Sequence, residues 1–298
     1  MSRATGCVEF LQWALPRLGL AWPGFRRVHR QVCRRIGARL RTLRLPGPAA
    51  YRTYLDAHPE EWAILDSACR ISISRLARDR SVFELLAHVV FPTLAEQALA
   101  RGAAELRCWS AGCASGEEPY SLSILWRLEL APRFPGLRLG VVATDVDGDL
   151  VGRARIGRYR RSSLREVPPA WIEAAFVRSG DSFALRAEYR EGVELRCEDI
   201  RDRVPEGPFD LILCRNVAFT YFDAGLQRST LERILSVLRP GGALVIGLKE
   251  HLPEGATGVA GWVPHLGIYR RPADRELPLE IRAADRGDVA RRAAPAWT

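Results

Sequence analysis

The chain has 298 residues, of which 47% are hydrophobic and 27% are charged, and no transmembrane segment is predicted. These values indicate a soluble globular protein with one large or two modest domains. The net charge of +9 is concentrated in residues 1–60, which carry eleven arginines and three acidic residues, a local charge of +8. This surplus predicts an anionic partner (a polyanion, a membrane surface or an acidic protein), and a solvated helix face is the alternative.

The seven cysteines lie at positions 7, 33, 69, 108, 113, 197 and 214 and form no Cys-x-x-Cys pair. With five separated histidines they offer no metal-ligand spacing, so no metal site is predicted. Cys108 and Cys214 stand in apolar runs and are predicted to be buried free thiols, which indicates a reducing compartment. The apolar segment 7–20 contains charged residues and a proline, so it is interpreted as an amphipathic helix and not as a signal peptide. The expected location is therefore the cytoplasm.

The first hundred residues are predicted to form a helical N-terminal domain. Helices are expected at 8–20, 25–45, 49–58, 60–70 and 81–101. In the second helix, apolar residues recur at steps of three and four: Phe25, Val28, Val32, Ile36, Leu40 and Leu43. Six arginines fill its other faces: Arg26, Arg27, Arg30, Arg34, Arg41 and Arg44.

After residue 100, short apolar runs alternate with helical segments. Strands are expected at 105–109, 137–143, 193–197, 209–214 and 243–248, and helices at 118–129, 148–156 and 223–238. This order predicts an α/β fold with a mostly parallel, Rossmann-like sheet over residues 101–271. Residues 158–192 interrupt it and are predicted to be an inserted subdomain, with a helix from Pro169 to Phe176 and a hairpin that pairs 182–185 with 187–189. The tail 272–298 is predicted to be disordered.

The segment Trp-Ser-Ala-Gly-Cys-Ala-Ser-Gly-Glu-Glu (109–118) predicts a strand, a glycine turn and a helix N-terminus. The turn residues Gly112 and Gly116 do not have the Gly-x-Gly-x-x-Gly spacing of a dinucleotide site. Glu117 and Glu118 stand where a phosphate binder would avoid negative charge. A ligand that carries both charges fits better, and S-adenosylmethionine has a sulfonium, an ammonium and a carboxylate.

Polar residues follow the other predicted strands. Asp145 ends the second strand and is expected to accept hydrogen bonds from ribose hydroxyls. Asp199 and Ile200 follow the third strand as candidate adenine contacts, and Arg215 and Asn216 follow the fourth, facing the reacting centre. Ligands of open α/β sheets bind beyond the carboxyl ends of the strands, so these residues predict a single site.

Five phrases occur in the order of these elements: Ser-Ile-Ser-Arg-x-x-Arg-Asp (72–79), Trp-Ser-Ala-Gly-Cys-Ala-Ser-Gly-Glu-Glu-Pro-Tyr-Ser (109–121), Ala-Thr-Asp-Val-Asp (143–147), Gly-Pro-Phe-Asp-Leu-Ile-Leu-Cys-Arg-Asn-Val (207–217) and Tyr-Phe-Asp (221–223). Through them the chain resembles the chemotaxis-receptor methyltransferases, the CheR-type class I enzymes that methylate glutamate side chains. The resemblance implies a helical N-terminal domain, a seven-stranded sheet, a small antiparallel insertion and S-adenosylmethionine as cofactor. It implies cofactor contacts at Ser74, Arg78, Glu118, Asp145, Asp199, Ile200, Arg215 and Asn216, to which Gly112 is added as the turn residue.

The expected reaction is methyl transfer to a protein carboxylate, and the expected partner is an acidic protein. A carboxylate is already ionised at pH 7, so its attack on a methyl sulfonium needs no general base. Arg78 and Tyr221 are the candidate catalytic residues, as a charged donor and a hydroxyl on the substrate side. The alternatives are a salt bridge from Arg78 to Glu118 that shapes the pocket, and core packing for Tyr221.

Two other functions stay open at this point. One is a methyltransferase for RNA or a small molecule, although the Asn-Pro-Pro-Tyr phrase of amino-group nucleobase methylation is absent after the fourth strand. The other is a cofactor-binding regulator without turnover. Its support is Leu76-Ala77, where the family has an aromatic pair, and a stretch before Tyr221 that is one residue longer than usual.

Overall fold

The computed structural model describes residues 3–273, so the predicted disordered tail lies outside the described residues from position 274 on. The helices are α1 (Arg3–Ala14), α2 (Trp22–Phe25), α3 (His29–Thr42), α4 (Pro48–Ala57), α5 (Glu61–Cys69), α6 (Arg80–Leu85), α7 (Phe91–Ala100), α8 (Glu117–Leu125), α9 (Gly148–Ile156), α10 (Pro169–Ala175), α11 (Ala218–Tyr221) and α12 (Ala224–Val237). The strands are β1 (Glu105–Ala111), β2 (Arg138–Asp145), β3 (Arg158–Arg160), β4 (Phe176–Ser179), β5 (Ser182–Leu185), β6 (Val193–Cys197), β7 (Phe209–Cys214), β8 (Leu238–Ile246), β9 (Ala260–Val263) and β10 (Ile268–Arg270).

The chain divides into two compact units. The helical unit comprises the chain up to Ile73 together with Asn216–Thr230, and the sheet unit comprises Ser74–Arg215 and the chain from Leu231 on. The domain boundaries expected from the sequence, at residues 100, 158, 192 and 271, stay predictions.

In the helical unit, the helix expected over 25–45 is shorter than predicted, because residues 26–28 form a turn and α3 spans His29–Thr42. The four-residue α2 carries a proline in its first turn, and α3 begins at His29 after a break. Val32, Ile36 and Leu40 form the buried stripe of α3, at the helical spacing that the sequence shows. All six arginines expected on the other faces are exposed.

A buried acid ties α3 to its neighbours in the helical unit. Glu61 is 2% exposed and accepts two hydrogen bonds from Arg39, at 2.8 and 2.7 Å, and one from the hydroxyl of Tyr51 at 2.6 Å. The Arg39 guanidinium lowers the pKa of this carboxyl, and this effect exceeds the opposing effect of burial. The ion pair therefore joins α3 to α5, with α4 contributing the phenol.

Cys7 in α1 and Cys33 in α3 form a disulfide bond, with their Cα atoms 6.0 Å apart. The sequence did not predict this disulfide bond, and its presence weakens the argument from the cysteines for a reducing compartment. Cys108 and Cys214 are free and buried, as predicted. The sequence gives no signal for a pair 26 residues apart, because pairing depends on how α1 packs against α3.

The sheet unit is built on seven strands in the order β6-β2-β1-β7-β8-β10-β9. The strands from β6 to β8 pair in parallel, and β10 pairs antiparallel with both β8 and β9. The predicted Rossmann-like fold is confirmed. The chain runs outward from β1 to β2 and β6, then returns to place β7 on the other side of β1. The order therefore reverses between β1 and β7, which is where ligands bind in such sheets.

One helical stretch among the described residues, Arg80–Ala100, has the length and apolar composition of a membrane span. It consists of α6, a π-helical turn at Leu86–Val90 and α7. Its buried side chains, among them Phe83 and Phe91, belong to the core of the sheet unit. Trp109 of β1 is fully buried on the sheet.

The insertion folds as a small sheet of order β3-β5-β4. An antiparallel insertion is confirmed, but the hairpin expected from the sequence is wrong. β5 forms its hairpin with β4, which precedes it, and pairs with β3 on its other side, while residues 187–189 form a 3-10 turn. Gly180, with φ +61°, supplies the left-handed position in the hairpin turn.

Candidate active site

The glycine turn lies at the carboxyl end of β1, folded against the end of β2. Gly112 and Gly116 have φ values of +79° and +85°, which glycine adopts without strain. The amides of Gly112 and Cys113 both donate to the carbonyl of Thr144, at 2.8 and 2.9 Å. A Cβ atom on Gly116 would lie 2.7 Å from the ring of Tyr120. The sequence at this turn therefore permits a backbone path that other residues would obstruct.

Asp145, the last residue of β2, fastens the turn from the neighbouring strand. Its Oδ2 accepts the amide of Ala114 at 2.8 Å, and its Oδ1 accepts the amide of Asp147 at 2.9 Å. Asp145 thus lies beside the glycine turn. Its predicted bonds to ribose hydroxyls stay a prediction.

Glu118, in the first turn of α8, is part of a buried ion network. Its Oε1 accepts from the hydroxyl of Ser110 at 2.7 Å, and its Oε2 accepts from Nη1 of Arg215 at 3.1 Å. Arg215 is 3% exposed in its side chain, and its Nη2 donates to Asp79 at 2.6 Å and to the carbonyl of Arg78 at 2.9 Å. Arg215 therefore forms an ion pair with Glu118, which the sequence did not predict. The Nε of Arg78 lies 4.0 Å from Asp79.

Glu117, the neighbouring acid, is 6% exposed and sits at the start of α8. Burial raises the pKa of this carboxyl, and a hydrogen bond from the side chain of Ser74 partly opposes the effect. Its Oε2 is buried without a hydrogen-bond partner among the described residues. Ser74, a predicted cofactor contact, is thereby brought to the N-terminus of α8.

Asp199 and Ile200 follow β6, next to β2, where Cys197 is in register with Asp145. Ile200 is buried, and Asp199 accepts from both the amide and the guanidinium of Arg201, at 2.8 and 2.7 Å. The structure therefore places these two candidates at the same edge of the sheet as the glycine turn.

The remaining two candidates, Asn216 and Tyr221, fall in the helical unit. Asn216 has φ +59°, a left-handed value that asparagine tolerates better than most residues. The ring of Tyr221 packs on Phe25 at 5.1 Å between centroids, and its carbonyl accepts the amide of Ala21 at 2.8 Å. Tyr221 is half-buried and packs on Phe25, and both its substrate-side role and the core-packing alternative stay predictions.

The sequence reasoning missed Asp79 and Ser110, which hold Arg215 and Glu118. Asp79 stands inside the quoted phrase 72–79, directly after Arg78, so a charged residue was visible there. Nothing in the sequence indicated that it pairs with a residue 136 positions away. Among residues 3–273, no cluster of three or more histidine, cysteine, aspartate or glutamate residues is placed to hold a metal ion.

The residues present fit S-adenosylmethionine. Gly112 has no Cβ atom, which permits close approach of a ligand to its backbone, and carboxylates at Glu118 and Asp145 suit an ammonium and ribose hydroxyls. A parallel sheet with this turn after β1 and an acid at the end of β2 defines a class I S-adenosylmethionine-dependent methyltransferase. Residues 73–263 match the family described as CheR methyltransferase, SAM binding domain. The chain belongs to this family, as the sequence predicted.

Named relatives support the assignment to this family. The chain is 36% identical to a chemotaxis protein methyltransferase of Listeria innocua over 186 residues, 62% of this chain and 68% of the relative. It is 33% identical to a chemotaxis protein methyltransferase of Salmonella typhimurium over 275 residues, 84% of this chain and 91% of the relative. Among solved structures, the N-methyltransferase NodS of Bradyrhizobium japonicum, in complex with S-adenosyl-L-homocysteine, is 20% identical over 61% of this chain and 66% of that chain, with a TM-score of 0.32. That likeness is too distant to add to the family assignment.

Proposed function

We propose that this methyltransferase transfers a methyl group to glutamate side chains of an acidic signalling protein, such as a chemotaxis receptor. The observation that carries the proposal is its relation, over 91% of the relative's length, to a protein named a chemotaxis protein methyltransferase. The cytoplasm is the proposed location, which the relation to chemotaxis protein methyltransferases favours.

S-adenosylmethionine, when bound, supplies a methyl group on a sulfonium. The acceptor carboxylate is ionised at neutral pH, so the chain needs no base and must align the reacting groups and exclude water. Arg78 is the proposed donor to the acceptor carboxylate. Its carbonyl is held by Arg215, which is itself fixed between the carboxylates of Asp79 and Glu118. This network supports a defined position for Arg78. The role of Tyr221 on the substrate side stays a prediction.

The proposed cofactor contacts are Ser74, Arg78, Gly112, Glu118, Asp145, Asp199, Ile200, Arg215 and Asn216. The geometry of the glycine turn supports the part played by Asp145, because its carboxylate orders the loop that meets the cofactor. The burial of Glu118 beside Arg215 supports a carboxylate whose orientation is fixed before the ligand arrives.

The proposed docking surface for the acidic protein is the arginine surface, defined as Arg26, Arg27, Arg30, Arg34, Arg41 and Arg44. All six are exposed, whereas Arg35 and Arg39 of the same segment bond to α5 and the residue after it. A surface with this excess of one charge raises the rate of encounter with an acidic partner. RNA and small-molecule acceptors are the competing outcomes of the test.

The test uses the whole chain, S-adenosylmethionine with a tritiated methyl group, and membranes that contain chemotaxis receptors. A carboxyl methyl ester releases volatile methanol in mild alkali, so base-labile label on a protein band is the expected result. Alkali-stable label, or label found in nucleic acid, would overturn the proposal.

A further inference from the structure

The segment Ser74–Asp79 carries two proposed cofactor and substrate contacts on a strained backbone. Ala77 has φ +51° and Asp79 has φ +64°, and neither is glycine. Side chains with a Cβ atom persist in this region only when the surroundings hold them there. The positions of Ser74 and Arg78 therefore depend on whatever fixes this segment, called the strained segment below.

Glu166, in the insertion, bonds the strained segment at two points. Its Oε2 accepts the amide of Asp79 at 2.9 Å, and its Oε1 accepts from the guanidinium of Arg75 at 2.5 Å. Three residues earlier, the carbonyl of Ser163 accepts the amide of Leu76 at 3.0 Å. The insertion thus binds the segment on both sides of Arg78.

The core of the sheet unit binds the same segment at two further backbone groups. The hydroxyl of Ser121 on α8 accepts the amide of Ala77 at 2.8 Å, and Arg215 donates to the carbonyl of Arg78 at 2.9 Å. The hydroxyl of Ser121 donates in turn to the carbonyl of Glu117 at 2.6 Å. Arg78 is therefore held between two supports, one from the sheet and one from the insertion.

The ion pair with Arg75 does not by itself explain the contacts that Glu166 makes with the strained segment. The side chains of Glu166 and Arg75 are each 26% exposed, and such a pair contributes little to stability. The hydrogen bond from the Asp79 amide to Glu166 differs from that ion pair. Its acceptor is a charged carboxylate, which makes the bond strong, and it holds a residue whose backbone conformation is unfavourable. A second arginine, Arg165, is largely exposed, and its Nε lies 3.9 Å from Oε1 of Glu166.

We propose that Glu166 is a positioning residue for methyl transfer, which fixes Arg78 by holding the amide of Asp79. The insertion then sets the geometry of the transfer site as well as forming a small sheet. The inference rests on the proposed function, since it takes Arg78 and Ser74 as contacts of the reacting molecules.

Three variants separate the two bonds. Glu166→Ala removes both, Glu166→Gln keeps an acceptor for Asp79 but loses the charge that faces Arg75, and Arg75→Met removes only the ion pair. Glu173→Ala is the matched control, an exposed acid on α10 of the same insertion. For each variant, kcat, the KM for S-adenosylmethionine, the Kd for S-adenosylhomocysteine and the melting temperature are measured.

We expect Glu166→Ala to lower kcat about 10- to 100-fold, because a displacement of about 1 Å in a catalytic group has effects of this size. Glu166→Gln and Arg75→Met should keep kcat within about threefold of the unchanged chain, since the bond to Asp79 survives in both. Glu173→Ala should match the unchanged chain, and melting temperatures should stay close together. Rescue by glutamine distinguishes a positioning role from a loss of folding.

The inference is overturned if Glu166→Ala keeps the kcat, KM and Kd of the unchanged chain. It is also overturned if glutamine is as damaging as alanine, because the amide bond to Asp79 would then be irrelevant. A chain that binds S-adenosylhomocysteine but esterifies no carboxylate contradicts the proposed function instead. In that case an unaltered Kd in Glu166→Ala overturns the inference, and a weakened Kd rescued by glutamine supports it.

Discussion

At the scale of single residues, Asp145 connects the glycine turn to the end of β2 through two backbone amides. Asp145→Ala leaves the amides of Ala114 and Asp147 without their acceptor, and each such loss costs about 1–3 kcal/mol. We expect calorimetry to show S-adenosylhomocysteine binding weakened by about 100-fold or more.

Asp147→Ala is the control for this measurement. Asp147 caps α9 by accepting from Asp149 and Leu150, so its loss should lower the melting temperature and leave affinity nearly unchanged. If Asp145→Ala binds as tightly as the unchanged chain, the assignment of Asp145 to the cofactor site is wrong.

Glu61 makes the free energy of unfolding of the helical unit depend on pH. Its folded pKa is lowered by Arg39 from an ordinary value of 4.5, so its stabilising effect is complete above that value and is lost as pH falls through the lowered pKa. Chemical unfolding at pH 7 and at successively lower pH should show this loss. Glu61→Ala, which leaves Arg39 and Tyr51 without their acceptor, should cost about 3–5 kcal/mol at pH 7.

Glu61→Gln is the informative partner variant, because it keeps an acceptor but removes the titrating group. Its unfolding free energy should change less with pH than that of the unchanged chain. An identical acid dependence in both proteins would show that other carboxylates dominate the loss.

At the scale of elements, α3 divides its arginines between two tasks. Arg39 bonds inward to Glu61, whereas Arg30 and Arg34 are exposed. Arg30→Glu combined with Arg34→Glu should raise the KM for an acidic protein substrate on the order of tenfold and leave kcat unchanged, because charge reversal slows encounter. The effect should shrink at high salt, where exposed charges are screened.

The control for this element is Arg138→Glu, an exposed arginine at the start of β2. It changes net charge by the same step per residue but lies outside the arginine surface. Equal changes in KM from both sites would indicate a general charge effect and contradict a docking role for α3.

At the scale of the whole molecule, burial sorts the cysteines. Cys197 is exposed, whereas Cys69, Cys108, Cys113 and Cys214 are buried. Burial raises the pKa of the Cys113 thiol well above its usual range, which suppresses the reactive thiolate. A maleimide added to the native, unreduced chain should label Cys197 first, and mass spectrometry of peptides identifies the site.

Unfolding in denaturant without reductant should expose five thiols, and reduction should expose seven. Seven labels on the unfolded chain before any reductant is added would contradict the Cys7–Cys33 disulfide.

Local patterns in the sequence predict the sheet and its turn well. Runs such as 105–109 and 209–214 are short and apolar, and segments with a helical pattern of apolar residues lie between such runs. These two runs form β1 and β7 close to the expected bounds. The glycine turn and Asp145 follow from the same logic, because each stands directly at a strand end.

Contacts between distant positions are not visible in the sequence. Arg215 reaches Asp79 and Glu118, and Glu166 reaches Asp79, only because packing brings those backbones together. The hairpin predicted from the sequence pairs β5 with residues 187–189, but these residues form a 3-10 turn and β5 pairs with β4 instead. Propensity is weak over so few residues.

The order of strands in the sheet also determines when the protein can fold during synthesis. Cys108 of β1 is in register with Leu211 of β7, about one third of the chain later, and the helical unit takes in residues up to Thr230. Leu20 likewise pairs with Phe222. A nascent chain must therefore leave the ribosome well beyond its midpoint before either unit has all its parts. Until then β1 and β2 expose apolar side chains and unpaired strand edges, so the nascent chain is most prone to aggregate, and most in need of a chaperone, in this interval.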